Sequence, residues 1–115
     1  MQSVDRCEAY AATRRAARTV ERAVRGWPTD LATQAMTAAN KAVSFTAEGS
    51  VLDPSAQRRR CARSALAAAI EVAAACDIAR ALGLTSTPLE DALRENGRAI
   101  AMLGLFFRAS IAGGD

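Results

Sequence analysis

The chain has 115 residues, a length typical of one domain and sufficient for a hydrophobic core without disulfides or metal. Half of the residues are hydrophobic but only 4% are aromatic, which favours closely packed helices over a sheet. Histidine is absent, which excludes histidine-based catalytic triads and metal sites. The cysteines lack the spacing of a zinc site, so we expect three free thiols: Cys7, Cys61 and Cys76.

The first predicted helix covers residues 4–25 and ends at Gly26-Trp27-Pro28, where glycine and proline both interrupt a helix. Its apolar residues recur with a helical period and are expected to face the core: Cys7, Tyr10, Ala11, Ala17, Val20 and Val24. At about 100° per residue, five arginines fall on or beside one strip of this helix: Arg14, Arg15, Arg18, Arg22 and Arg25. Glu21 lies at the edge of the strip and is expected to pair with Arg25 and Arg18.

The second predicted helix covers residues 30–47, and either Thr29 or Asp30 could cap it or complement its dipole. Gly49 is expected to end this helix, and Glu48 to hold the exit in place. Asp53 and Pro54 then have the pattern of an N-cap followed by a first helical residue.

The third predicted helix covers residues 54–82 and ends at Gly83. Between Ala65 and Cys76 its only polar side chain is Glu71, so the helix is apolar nearly all the way round, although too short an apolar run to span a bilayer. This pattern predicts one face for the helix's own chain and another for a second copy. Four arginines lie at its start, where they oppose the helix dipole, which indicates another use: Arg58, Arg59, Arg60 and Arg63.

The fourth predicted helix covers residues 88–111 and begins with the capping pattern Thr87-Pro88-Leu89-Glu90. Gly97 and Gly104 lie on one seam, where another backbone could approach closely. Four helices with short connections predict an all-α, up-down-up-down bundle formed by a single domain, residues 1–115. The N-terminus has no apolar segment of the kind found in signal peptides, so we expect a cytoplasmic protein.

The candidate sites in the sequence favour binding over catalysis. Glu71 is expected to be buried and to form a structural ion pair with Arg98 or Lys41. No constellation of residues supports catalysis, so the sequence predicts neither an enzyme nor a cofactor. The nine arginines of the first and third helices are open to two interpretations, a solvated surface or a phosphate-binding surface. With few aromatic residues for base stacking, nucleic-acid binding would involve the backbone and show little sequence preference.

Several short segments between Trp27 and Arg108 resemble a bacterial four-helix-bundle family. Its L-T-S-Q…R-A-A…N-I-A-E-G signature is similar to Leu31-Ala32-Thr33-Gln34, Ala38-Ala39 and Ala47-Glu48-Gly49. Its E-L-E…I-A-x-x-L-G-L element is similar to Glu71, Ile78-Ala79 and Leu82-Gly83-Leu84, and its late G-R element is similar to Glu95-x-Gly97-Arg98. Thr37 and Phe45 stand where the signature has arginine and asparagine. The family includes proteins encoded in intervening sequences of large-subunit ribosomal RNA genes, and is related to the accessory variability determinant of diversity-generating retroelements.

The resemblance implies a bundle that assembles into a ring, typically a pentamer. In the retroelement branch, it also implies a basic adaptor that binds a reverse transcriptase and RNA or DNA. Two alternative functions are therefore weighed, the first favoured by the resemblance and the second by the interpretation of the arginines as a solvated surface. One is a non-catalytic, homo-oligomeric nucleic-acid-binding accessory protein, and the other is a protein-interaction scaffold with no nucleic-acid role.

Overall fold

The computed structural model of the protein describes residues 7–112, which form four α-helices and no strand. The helices are α1 (Glu8–Ala23), α2 (Thr29–Ser50), α3 (Ala56–Ala81) and α4 (Thr87–Ala112). Consecutive helices pack against each other and α1 also packs against α4, so α1 and α3 occupy diagonal corners of a bundle. The predicted all-α fold of four helices is confirmed. The predicted helix start at residue 4 and the ends of the 1–115 domain lie outside the described residues.

The core of the bundle is built mainly from alanine. Larger fully buried side chains are few, and they include Val20, Val72, Leu89 and Leu103. On α1 the buried stripe differs from the predicted one, because Tyr10, Ala11, Ala17 and Val24 are only half-buried. Cys7 and Val20 are buried as predicted. The other residues of α1 that face the core are small and let the helix approach its neighbours closely: Ala9, Ala12, Thr13, Ala16 and Ala23. The Thr13 hydroxyl donates to the Tyr10 carbonyl (2.9 Å), so its burial leaves no unsatisfied donor.

The ends of α1 and α3 agree with the predicted glycines, but the predicted caps are corrected. Gly26 and Gly83 follow the ends of α1 and α3 with φ of 85° and 81°, a conformation that glycine adopts without strain. The α3 cap is Ser55 rather than Asp53, since its hydroxyl accepts from the Arg58 amide (3.2 Å). The Ser86 hydroxyl likewise accepts from the Leu89 amide (3.1 Å), one residue before the predicted Thr87. On α2, neither Thr29 nor Asp30 is the N-cap, because the helix begins at Thr29 after Pro28 with no side-chain cap.

The prediction that Gly49 ends α2 is wrong, because the helix continues to Ser50 and Gly49 lies buried within its last turn. A Cβ at this position would be 2.9 Å from the Cys61 Cβ and 3.3 Å from the Phe106 ring, so glycine allows α2 to contact α3 and α4 closely. Among the described residues, Gly97 and Gly104 make no such approach, because an added Cβ at either would have no neighbour within 4 Å. The predicted close approach at these two glycines is therefore absent from the bundle itself.

We expect Gly49→Ala to lower the free energy of unfolding by about 1 kcal/mol. Overpacking costs about 1–3 kcal/mol, and the better helix propensity of alanine offsets up to about 1 kcal/mol of this. The matched control is Gly97→Ala on the exposed surface of α4, which we expect to raise the free energy of unfolding by about 0.5–1 kcal/mol. Urea denaturation of both variants checks the pair. Equal effects would contradict the assigned packing at Gly49.

No helix within residues 7–112 combines the length and the apolar character needed to cross a membrane.

Candidate nucleic-acid interface

The arginines of the first helix are together on one side of the bundle. Four of them are exposed on α1 away from its buried stripe, and the fifth, Arg25, is exposed in the turn that follows the end of the helix at Ala23: Arg14, Arg15, Arg18, Arg22 and Arg25. We call this set the α1 arginine strip. Two of its members contact other residues of α1. The Arg14 guanidinium lies 5.4 Å from the centre of the Tyr10 ring, and Arg25 Nη2 is 3.1 Å from Glu21 Oε1.

Glu21 neutralises only part of this strip. It pairs with Arg25, as expected, and makes no ion pair with Arg18 in the part of the chain that the structure describes. The Glu21–Arg25 pair is largely exposed, so it contributes little to stability and can exchange with an outside anion. Arg18 and Arg22 are exposed and have no such partner within residues 7–112. The strip therefore keeps a positive charge that faces solvent.

The carboxylate that organises the polar contacts beside this strip is Glu95, on α4. Its Oε2 lies 3.9 Å from Arg15 Nε, and its Oε1 lies 3.4 Å from Arg98 Nη1. The Glu95 side chain is only 15% exposed, whereas Arg15 and Arg98 are 57% and 63% exposed. Sequence reasoning did not identify Glu95 as a site residue. The available signal was the i,i+3 spacing of Glu95 and Arg98, which places both on one side of a helix.

The predicted role of Glu71 is wrong. Its side chain is exposed on α3, and it makes no ion pair with Arg98 or Lys41 among the described residues. The apolar neighbours of Glu71 in the sequence belong partly to a surface that the chain itself does not cover. Arg98 pairs instead with Glu95 on its own helix.

Arg58 does not belong to the candidate interface, although the sequence placed it there. Its Nε donates to the Ser110 hydroxyl (3.1 Å) and its Nη1 donates to the Leu52 carbonyl (2.8 Å). Its guanidinium also lies 4.9 Å from the centre of the Phe106 ring. These contacts tie the start of α3 to the end of α4 and to the preceding loop, so Arg58 is structural.

The remaining arginines at the start of α3 form a separate group. Arg60 and Arg63 are exposed, Arg59 is half-buried, and the Arg63 guanidinium lies 5.9 Å from the centre of the Phe107 ring. Because α1 and α3 are on diagonal corners, the structure does not join this group to the α1 arginine strip.

Glu48 lies at the end of α2, beside the Cys61 thiol of α3. Burial raises the pKa of the Cys61 thiol, and the neighbouring Glu48 carboxylate raises it further. The side chain of Glu48 is exposed.

All three cysteines are buried free thiols, as expected. Within residues 7–112, no group of three or more His, Cys, Asp and Glu side chains is arranged to hold a metal ion.

Cys76 is expected to be unreactive in the folded protein. Burial raises the pKa of its thiol to about 11, and Asp77 adds to the rise. A thiol reagent at pH 8 should therefore label Cys76 slowly until the protein is denatured, in a variant whose other cysteines are alanine. The unfolded chain releases this proton near pH 9, so the free energy of unfolding should fall as the pH rises from about 9 to about 11. Rapid labelling of the native protein at pH 8 would contradict this.

The outer side of α3 carries an exposed apolar surface, which we call the α3 stripe: Ala67, Ile70, Ala74, Ile78 and Ala81. The two isoleucines are 53% and 46% exposed. The opposite side of the same helix is buried in the bundle at Ala65, Ala69 and Val72. The predicted second apolar face of this helix is thus present, and residues 7–112 do not cover it. The α3 stripe therefore lies on the helix that is diagonally opposite α1 in the bundle, away from the α1 arginine strip.

Neither a protein-family model nor a curated protein matches this chain.

Proposed function

We propose that the protein is a non-catalytic, homo-oligomeric nucleic-acid-binding adaptor that contacts the phosphate backbone through the α1 arginine strip. The observation that carries this proposal is the exposure of four arginines along α1 and of Arg25 in the turn after it, with Glu21 as the only acid between Arg14 and Arg25. From Arg14 to Arg22 the helix rises about 12 Å. Over that length, duplex DNA presents about seven phosphate charges, so several arginines could each contact a phosphate.

The proposed interface contacts phosphate and not bases. A guanidinium has a planar set of donors that matches a phosphate in bidentate fashion. Base stacking would need exposed aromatic rings, but Trp27 and Phe106 are buried and the Tyr10 ring is next to Arg14. We therefore expect binding to RNA and DNA with slight sequence preference.

The homo-oligomer is proposed to form through the α3 stripe, with a second copy of the chain as its occupant. Arg63 and Asp77 are equally far along the helix on either side of Ile70. If two α3 helices pack antiparallel about Ile70, Arg63 of each copy lies opposite Asp77 of the other, so the stripe is charge-complementary to itself. Such packing would leave both α1 arginine strips exposed, because α1 is diagonal to α3.

Oligomerisation would strengthen weak binding without any new contact. Several strips attached to one particle bind one nucleic acid with a high effective concentration after the first contact. The ring of five and the reverse transcriptase partner that the resemblance implies remain predictions. A measured mass distinguishes a pair from a ring of five.

The proposal is tested by fluorescence-anisotropy titration of the wild-type protein with structured RNA and duplex DNA at several salt concentrations. If three arginines of one copy contact phosphates, log K should fall against log salt with a slope of about −2.7 for duplex DNA, and more steeply when further copies engage. Absence of binding at low salt would contradict the proposed function.

The alternative function is a protein-interaction scaffold, which the exposed α3 stripe also supports. In that case the α1 arginine strip only keeps the particle soluble or meets an acidic protein. The same titration separates the two, since a scaffold would bind neither RNA nor DNA.

A further inference from the structure

We propose that Arg15 and Arg98 form a phosphate clamp across α1 and α4, and that Glu95 is the positioning residue that holds both guanidiniums. The proposal rests on the proposed function and adds a defined site to it. The clamp combines one residue of the α1 arginine strip with an arginine that the sequence had assigned to a structural pair with Glu71. It therefore extends the interface from α1 to α4.

The first step is the placement of Glu95. Its carboxylate is nearly enclosed at 15% exposure, and Oε2 is buried and accepts no hydrogen bond in the part of the chain that the structure describes. A buried carboxylate requires a compensating charge. Both guanidiniums lie within 3.9 Å of this one carboxylate, one from each helix. Glu95 thereby brings the two exposed guanidiniums to the same point of the α1–α4 junction, Arg98 by a hydrogen bond and Arg15 by an ion pair.

The second step concerns the N–H donors of Arg15 and Arg98 that do not approach Glu95. A guanidinium has five N–H donors, and the approach to Glu95 involves only Arg15 Nε and Arg98 Nη1. Both side chains remain more than half exposed, so their other donors are accessible to an incoming anion. Two guanidiniums and one carboxylate carry a net charge of about +1, which favours a phosphate over a neutral ligand. The arrangement suits a single backbone phosphate bound by donors from both helices.

The decisive experiment compares Glu95→Gln with Glu21→Gln by fluorescence anisotropy on the same duplex DNA. If charge alone controls binding, either substitution removes a negative charge and should strengthen binding. If Glu95 positions the clamp, Glu95→Gln should weaken binding by about tenfold and reduce the steepness of the salt dependence, since a charge-assisted contact is lost. Glu21→Gln is the matched control, because Glu21 is exposed beside the strip, and its loss should leave binding equal or stronger.

A second pair of variants addresses the case in which Glu95→Gln fails to fold. Arg98 is 63% exposed and Arg98→Lys keeps the positive charge beside Glu95, so this variant is expected to leave the thermal unfolding nearly unchanged, whereas Arg98→Gln removes the charge and should lower the Tm without preventing folding. Both should weaken binding, because lysine keeps the charge but lacks the planar set of donors. Equal or stronger binding by Glu95→Gln, with wild-type binding by Arg98→Lys, would overturn the clamp.

The clamp can also be separated from the wider function with inorganic phosphate as the probe. In a nitrogen-15 NMR titration, phosphate should shift the side-chain Nε–H signals of Arg15 and Arg98 in the wild type, and much less in Glu95→Gln. If nucleic acid does not bind but these shifts occur, the proposed function fails and the clamp stands. If nucleic acid binds without these shifts, the clamp fails and the proposed function stands.

Discussion

Glutamate at Ile70 and Ile78 is expected to convert the protein into a folded monomer. Both side chains are about half exposed on the α3 stripe, so the substitutions add charge to a surface that the bundle itself does not cover. A second copy packed on this stripe would have to bury these charges without partners, which costs several kcal/mol. Static light scattering should then give the monomer mass of 12.1 kDa. Circular dichroism should still show a helical spectrum, and the protein should unfold cooperatively, as a folded single bundle does.

The matched control for this variant is Ala68→Glu. Ala68 is on the same helix but is 2% exposed and faces the bundle core. A glutamate there would be buried without a partner and overpack the contact between helices, so we expect a loss of about 3 kcal/mol or more in the free energy of unfolding. A wild-type protein that is monomeric at micromolar concentration would contradict the role of the α3 stripe. So would a variant at Ile70 and Ile78 that keeps the wild-type mass.

The fold was predictable because its signals are local. Gly26, Gly83 and Pro88 mark the helix boundaries, and each acts through its own backbone conformation. The caps were wrong by one or two residues because serine, threonine and aspartate can all accept an amide hydrogen bond. Only the path of the chain decides which one does.

The buried face of α1 was less predictable from the sequence than the helix boundaries. In a chain rich in alanine, several neighbouring stripes have similar hydrophobicity, so periodicity alone does not select the one that faces the core. The structure selects Ala12 and Ala16, whose small side chains allow α4 to approach. The same reason explains Gly49, where a glycine in a helix is required by the contact with Cys61 and not by a turn.

The candidate site was predictable only in part. Helical spacing alone placed the α1 arginine strip on one surface, and the structure shows four of its members exposed on α1 and Arg25 exposed in the turn after it. The roles of Arg58 and Glu95 depend on contacts between helices, and the spacing of residues along the chain does not predict such contacts. Glu71 was misassigned because an apolar run in the sequence does not distinguish a surface buried by the chain from a surface left exposed by it.

The second large effect is expected from reversing three charges of the α1 arginine strip, in the variant Arg14→Glu, Arg18→Glu and Arg22→Glu. Each replacement removes two units of charge, so the formal net charge falls from +3 to −3. Loss of three phosphate contacts at about 1–1.5 kcal/mol each should weaken binding at low salt by at least about a hundredfold. The side chains are exposed, so the fold should be retained.

A charge-matched control separates the strip from the net charge of the protein. Lys41, Arg80 and Arg108 are exposed on α2, α3 and α4, and replacing them with glutamate changes the net charge by the same amount. None of them is on α1, so this control should lose only the long-range part of the attraction, which salt screens.

The most direct measurement is the anisotropy titration of wild type, strip variant and charge-matched control with duplex DNA at two salt concentrations. The account predicts that the wild type binds with a steep salt dependence, the control binds with nearly the same slope, and the strip variant loses both affinity and slope. Equal loss by the strip variant and the control, or an unchanged slope in the strip variant, would contradict the claim that the arginines of α1 contact the phosphate backbone.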